Sequence, residues 1–509
     1  MDQKKTNMDR RNFMTVTGAA STLALTAGVA KAAEKPAAAG CSAAAGKTIK
    51  GVQVEKPVHL PYRIPSFEEA KAMGMFPDGG GNGMPPKPAK VPTPAIYVED
   101  SKHAAEKSQA DAVNGGKITD RFASGVKITG SNADVGGVYA TGIGTEYILA
   151  DATIDLTGDG KDQGGTGVGA ASDQYATLIV RNCKITTNGK SRNATSAENF
   201  STLKVYNSTL TSNGVPFTPD INGQPQKKQL EIDGNSRTHC TLSGSYSYFY
   251  YSTIVAEGWG ALSTDGANGF VYLEANNCKI HTKTAGYGAY ADEGCNDVFN
   301  SCEFDVASMA AIVAAEGYAT FNDVKAKCGS HFVLIHCVTG APAEMTGLKV
   351  FGGEIKAKAS AVRVKSANAE ILFDNAKVAT ESGVLLESTT SSDPNAVHTT
   401  NVKPKDVYGI HATFRNMDAA GDVIHGDKEH RNMTVYLENA MLKGAVKDAM
   451  IKMDARSTWT ATADSNVTLI GDIDLAQIDA PAGVTINAIA SESGTHKLAS
   501  CGTLILKTA

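Results

Sequence analysis

Asparagines recurring at steps of about two dozen residues constrain this 509-residue chain more than any other feature. Each sits in a repeated phrase: alternating apolar residues, then Asn or a small residue, then a second short apolar pair. Copies occupy 178–185 around Asn182, 203–210 around Asn207, 273–280 around Asn276 and Asn277, and 298–304 around Asn300. Further copies lie at 371–378 (Asn375), 412–416 (Asn416) and 435–442 (Asn439). The spacing is 25 residues from 182 to 207, 23 from 277 to 300, 22 from 300 to 322 and 23 from 416 to 439. A triangular coil of three short strands and their turns consumes roughly 20–25 residues, and each strand then pairs with its counterpart one coil above. Asn suits the corner, because it tolerates the left-handed backbone region and its amide can ladder with the next coil. A leucine-rich horseshoe would need a Leu-x-x-Leu-x-Leu-x-x-Asn signature, which is missing, and a sandwich would show hairpin turns without a longer period. The expected fold is therefore all-β, a single-stranded right-handed parallel β-helix of about 14 coils stacked about 4.8 Å apart.

The chain divides around that repeat. Residues 1–32 form a targeting segment: Lys4 and Lys5, then Arg10-Arg11-Asn12-Phe13-Met14, a charge-free run from Thr15 to Ala30, and Ala30-Lys31-Ala32 as small residues for cleavage. This pattern is that of a twin-arginine (Tat) signal peptide, so the expected location is periplasmic or extracellular. Residues 33–116 are a Pro/Gly-rich tether or strap plus a cap, with a short helix expected over 101–114. The β-helix takes 117–456, and 457–509 supply closing strands that cover the open edge. The segment 1–32 holds five cations and two anions, so the remainder carries a net charge of −8 against −5 for the whole chain. Without a basic block, nucleic acid and anionic membranes are not expected partners. After the signal, no apolar run is long enough to span a bilayer. Cys183 and Cys278 stand at equivalent places in two Asn-Cys-Lys-Ile copies, which marks them as small buried side chains more than as disulfide partners. No Cys/His set at zinc spacing occurs.

The stretches 142–160 and 258–265 resemble a family of exported bacterial right-handed β-helix proteins, and the resemblance covers roughly 120–460. Pectate-lyase-like enzymes and adhesin-like surface proteins share that architecture. The resemblance implies the fold; it leaves the activity open, because the fold hosts unrelated functions and no lyase or hydrolase motif matches here residue by residue.

Chemistry is expected in a second column of the repeat. Aligning 260–265, 288–293, 311–316, 332–337, 361–366 and 383–388 stacks Asp265, Glu293 and Glu316 in one ladder. Asp292, His336, Lys365 and Glu387 then form a ladder one residue earlier, with Arg363 alongside. Ionisable groups about 4.8 Å apart perturb one another and can supply a general acid and base. The candidate catalytic set is His336, Lys365, Asp292, Glu293, Glu316, Arg363 and Glu387. The carboxylates Asp265, Asp292, Glu293 and Glu316 could hold a hard cation such as Ca²⁺. Trp259, Tyr287 and Tyr290 flank the strip as platforms for a carbohydrate or other small-molecule ligand, and the insertion from 215 to 237 could overhang it. His425, near Asp422 and Asp427, is a second candidate, whereas Gly158-Asp159-Gly160-Lys161-Asp162 is a turn. The functional expectation is an exported enzyme using acid–base chemistry, a polysaccharide lyase or hydrolase. Its rivals are a non-catalytic adhesin-like binding protein and an isomerase or lyase of a small acid or phenol. A plain solvated face is the bland account of the same charges.

Overall fold

A computed structural model describes residues 46–54, 93–132, 134–160, 167–215, 230–266, 270–292, 294–314, 316–337, 345–391 and 409–508, all within one compact unit, Cys41–Ala509. The expected targeting segment and most of the Pro/Gly-rich tether lie outside them, as do Glu293, Lys161 and Asp162. No helix among the described residues is long and apolar enough to cross a membrane.

Short strands follow one another in threes, and each pairs in parallel with the strand one coil on, giving a three-sided β-helix. One coil runs through Tyr287–Ala291, Cys295–Asn300 and Glu303–Val306, and the next through Ala311–Ala314, Tyr318–Asn322 and Lys325–Cys328. These strands form the first, second and third faces, and their registers are Tyr290↔Ile312, Phe299↔Phe321 and Phe304↔Ala326. Alternation explains the local structure. Thr153–Thr157 buries Ile154 and Leu156 and exposes the threonines and Asp155, as a half-buried strand must. Between the second and third faces the chain turns through a left-handed residue at every coil from Asp151 to Asn439: Asp151, Asn182, Asn207, Tyr251, Asn277, Ser301, Asp323, Gly352, Asn375, Asn416 and Asn439 all have positive φ. Asn182 and Asn439 donate through their amides to Asp151 and Asn416 one coil below, at 3.2 and 2.9 Å. Asn300 and Asn322 stand one position before the corner, where Ser301 and Asp323 make the turn. They end their strands and form a ladder of their own, Asn300 donating to Asn276 at 2.9 Å and Asn322 to Asn300 at 2.7 Å.

The inward side chains make one continuous core. Within it runs a series of rings: Phe299 on Phe321 at 5.1 Å, Phe321 on Phe332 at 4.9 Å and Phe373 on Phe414 at 5.8 Å. Seven cysteines, Cys183 and Cys278 among them, are free and buried, whereas Cys501 is disulfide-bonded.

The ends depart from the coil. The helix expected over 101–114 does not form. Lys102–His103 pairs antiparallel with the end of Thr93–Glu99, and two single 3₁₀ turns follow at Ala105–Lys107 and Ala110–Ala112. The Ala104 and Tyr97 groups compete for the hydrogen bonds a helix would use, with Ala104 N–H on the Tyr97 carbonyl and Tyr97 N–H on Ser108 Oγ. Thr93–Glu99 is already a strand of the first face, paired with Val135–Thr141. At the far end Gly494–Lys497 folds antiparallel onto Thr503–Thr508, and Thr48–Lys50 pairs antiparallel with Asp472–Asp474.

Candidate active site

The site lies on the outward side of the first face. Outward positions there are ordinarily polar, but the strands Ala311–Ala314 and Val333–His336 are buried at every residue. The cover is part of the long insertion: Leu230 and Ile232 pack onto Tyr287, Tyr290, Met309, Ile312, Ala314 and Leu334. Asp233 and Asn235 fasten the same stretch through their carbonyls, which accept from the amides of Trp259 (2.6 Å) and Ser191 (2.7 Å).

Glu231, between the two apolar anchors, ends in a cluster of cations. Its Oε1 accepts from Lys365 Nζ at 3.1 Å and faces Arg363 Nη1 at 3.5 Å, and its Oε2 lies 3.3 Å from His331 Nε2. His331 Nδ1 accepts the Ser360 amide proton at 3.2 Å and lies 2.7 Å from Ser360 Oγ, so the network assigns the ring proton to Nε2, toward Glu231. Glu387 brings a second carboxylate to 3.8 Å from His331 Nδ1. Burial works to raise the Glu231 carboxyl, but the His331 hydrogen bond and the charges of Lys365 and Arg363 outweigh it and hold the group at about 2. Glu231 itself sits at φ 57, a left-handed conformation that only surrounding contacts maintain for such a residue.

The register explains which expected residues meet. Along one outward row Tyr290, Ile312, Leu334, Arg363 and Glu387 are successive partners, and along the next are Ala314, His336, Lys365 and Thr389. The expected stacking is thus corrected in four places, one of them being that residue 290 pairs with 312 and not 313. Residue 263 pairs with 290 and not 291, 314 pairs with 336 and not 335, and Glu387 stands beside Arg363, two residues from the Lys365 row. The corners before these strands differ in length, which slides each strand relative to a gapless alignment. His336 and Lys365 do lie side by side, with His336 Nε2 3.0 Å from Ser391 Oγ. Asp292 follows its strand and accepts from Tyr290 Oη at 2.9 Å, and Glu316 occupies a left-handed turn before Tyr318. Asp265 ends the Gly260–Asp265 strand, paired with Leu242. Among the described residues no group of three or more His, Cys, Asp or Glu side chains comes together as a metal site would require.

Tyr287 and Tyr290 lie under Leu230 and Ile232, with Tyr287 Oη 2.8 Å from Ser263 Oγ. Trp259 packs at the rim and receives the Arg237 guanidinium 6.0 Å from its ring centre. His425 belongs elsewhere. Both its nitrogens are engaged, Nδ1 with Ser388 Oγ at 2.6 Å and Nε2 with the Arg431 carbonyl at 2.9 Å, and burial lowers its pKa. Asp427 pairs with Arg431 and with His430, and Asp422 accepts from the Ala445 amide. Asp159 caps a turn by accepting from the Lys190 amide.

Sequence reasoning missed two members, Glu231 and His331. His331 precedes its strand and so falls outside the aligned window. Glu231 sits in an insertion that the repeat does not place, and its only local signal is a charge between two apolar residues. No known protein family, no curated protein and no solved structure matches the chain.

Proposed function

We propose that the chain is an exported enzyme of the acid–base type, leaving by the Tat route, that acts on an acidic polysaccharide by β-elimination at the Arg363–Lys365–His331 cluster. One observation carries this reading: two cations and an imidazole converge on both oxygens of a single carboxylate beneath a covering segment. Arg363 and Lys365 would neutralise the acid group of the sugar, which acidifies the neighbouring C–H. With the ring proton shifted to Nδ1 and donated to Ser360 Oγ, 2.7 Å away, Nε2 of His331 would take the C–H proton. Glu231, held at about 2, is too weak a base for that role. The C–H electron pair forms the new C=C bond as the glycosidic C–O bond breaks, and the leaving oxygen takes a proton from water. Hydrolysis fits less well, because it needs a protonated carboxyl as general acid and Glu231 is the opposite. Among the described residues Asp265, Asp292 and Glu316 do not come together as a site for Ca²⁺, so the cation has no part in this reading.

The test is to incubate the protein lacking residues 1–32 with a panel of acidic polysaccharides, with and without chelator, and to follow the unsaturated product by its ultraviolet absorbance. Unsaturated ends from any one of them support the reading; saturated products or none contradict it. A second reading, a binding rod without turnover, is favoured by the fact that the strip is filled by Leu230, Glu231 and Ile232.

A further inference from the structure

We infer that residues 230–232 are a built-in stopper: the Glu231 carboxylate occupies the place of a carboxylate-bearing ligand on Arg363, Lys365 and His331, and the ligand binds by displacing it. This rests on the reading of the cluster as a site for acidic sugars and adds how that site is regulated.

Three observations carry it. The cluster uses both oxygens of the Glu231 carboxylate, Lys365 and Arg363 on one and His331 on the other. That is recognition of a planar two-oxygen anion, which an acidic sugar would present equally well. The segment is foreign to the coil: it belongs to an insertion before the Arg237–Leu242 strand, yet Glu231 reaches residues 100 to 134 positions further along the chain. Its docking surface is made for an apolar occupant, since Tyr290, Ile312 and Leu334 turn hydrophobic side chains outward at successive coils, where a bare face would be polar. A sugar ring laid on such a strip finds aromatic and aliphatic surface next to the cations, in the order in which Ile232 and Glu231 now lie.

The probe for the test is D-glucuronate, titrated calorimetrically into the full chain and into Glu231→Gln, with Glu231→Gln/Lys365→Met as the control. The expected result is binding at least about tenfold tighter to Glu231→Gln than to the wild type, within the range usual for coupled sites, and loss of that gain in the double variant. Equal affinity, weaker affinity or no binding to either protein overturns the inference. Should Glu231→Gln fail to fold, hydrogen exchange of the Trp259 amide in the wild type serves instead, because that amide is held by Asp233 of the docked stretch. Saturating glucuronate should speed its exchange; unchanged or slower exchange refutes displacement. Tighter binding to Glu231→Gln without turnover of any polysaccharide would sink the enzyme reading and leave the stopper standing, whereas turnover without the gain does the reverse.

Discussion

Replacing Glu231 with Gln keeps the side chain's size and removes its charge, which reproduces the protonated state of the native group. The structure sets the magnitude. The carboxyl is held at about 2 against an ordinary 4.5, and at 1.36 kcal/mol per unit that difference of about 2.5 units is about 3 kcal/mol in favour of the docked, ionised form. The side chain is 25% exposed, so solvent screening removes little of this. The same order follows from the rule that breaking one partner of a buried ion pair costs about 3–5 kcal/mol. If the loss is confined to undocking of 230–236, the Trp259 amide should exchange roughly 300-fold faster in Glu231→Gln at neutral pH. The pH dependence has a definite sign. A depressed folded-state pKa gives stability that is present above 4.5 and fades as the pH falls from there toward 2. Wild-type protection at Trp259 should therefore decline across that window and meet the variant's, which stays flat. An exchange rate unchanged by the substitution at neutral pH would refute the electrostatic account of how this segment is held.

Other outcomes follow from the same coordinates. Asp297 is fully buried, and burial drives its pKa well above the ordinary 3.8. It therefore favours the fold below 3.8 and penalises it as the pH rises, so Asp297→Asn should raise the urea midpoint at about pH 8 more than at about pH 4. Phe321 is wholly buried between Phe299 and Phe332, so Phe321→Ala should cost about 3–5 kcal/mol in denaturant unfolding. Asn300 both donates to Asn276 and accepts from Asn322, so Asn300→Ala removes two bonds of about 1 kcal/mol each and should lower the thermal midpoint detectably.

The coil was legible because its cause is local: each corner needs a left-handed residue, a place Asn and Asp take most easily, and the chain advertises it at Asn182, Asn207, Asn277 and Asn439. Register was not legible, because it is decided by hydrogen-bond pairing across corners of unequal length. A slip of one residue exchanges inward for outward side chains. Lys365 and Arg363 were found in spite of that, because the alignment had the register between their strand and Val333–His336 right. Glu231 could not be found by periodicity at all. It joins the cluster only because the apolar pair Leu230 and Ile232 docks on a strip whose outward hydrophobicity, at Ile312 and Leu334, is visible only once the inward row is known.

The central claim is that residues brought together from separate coils, Arg363, Lys365 and His331, form a single reaction centre. Measuring kcat/KM on a polyuronate for Lys365→Met, Arg363→Met and His331→Ala, each verified as folded by circular dichroism, tests it most directly. The account predicts unsaturated products from the wild type and losses of about 100-fold or more in each variant, the range seen when an electrostatic stabiliser is removed. Wild-type turnover surviving in all three would contradict it.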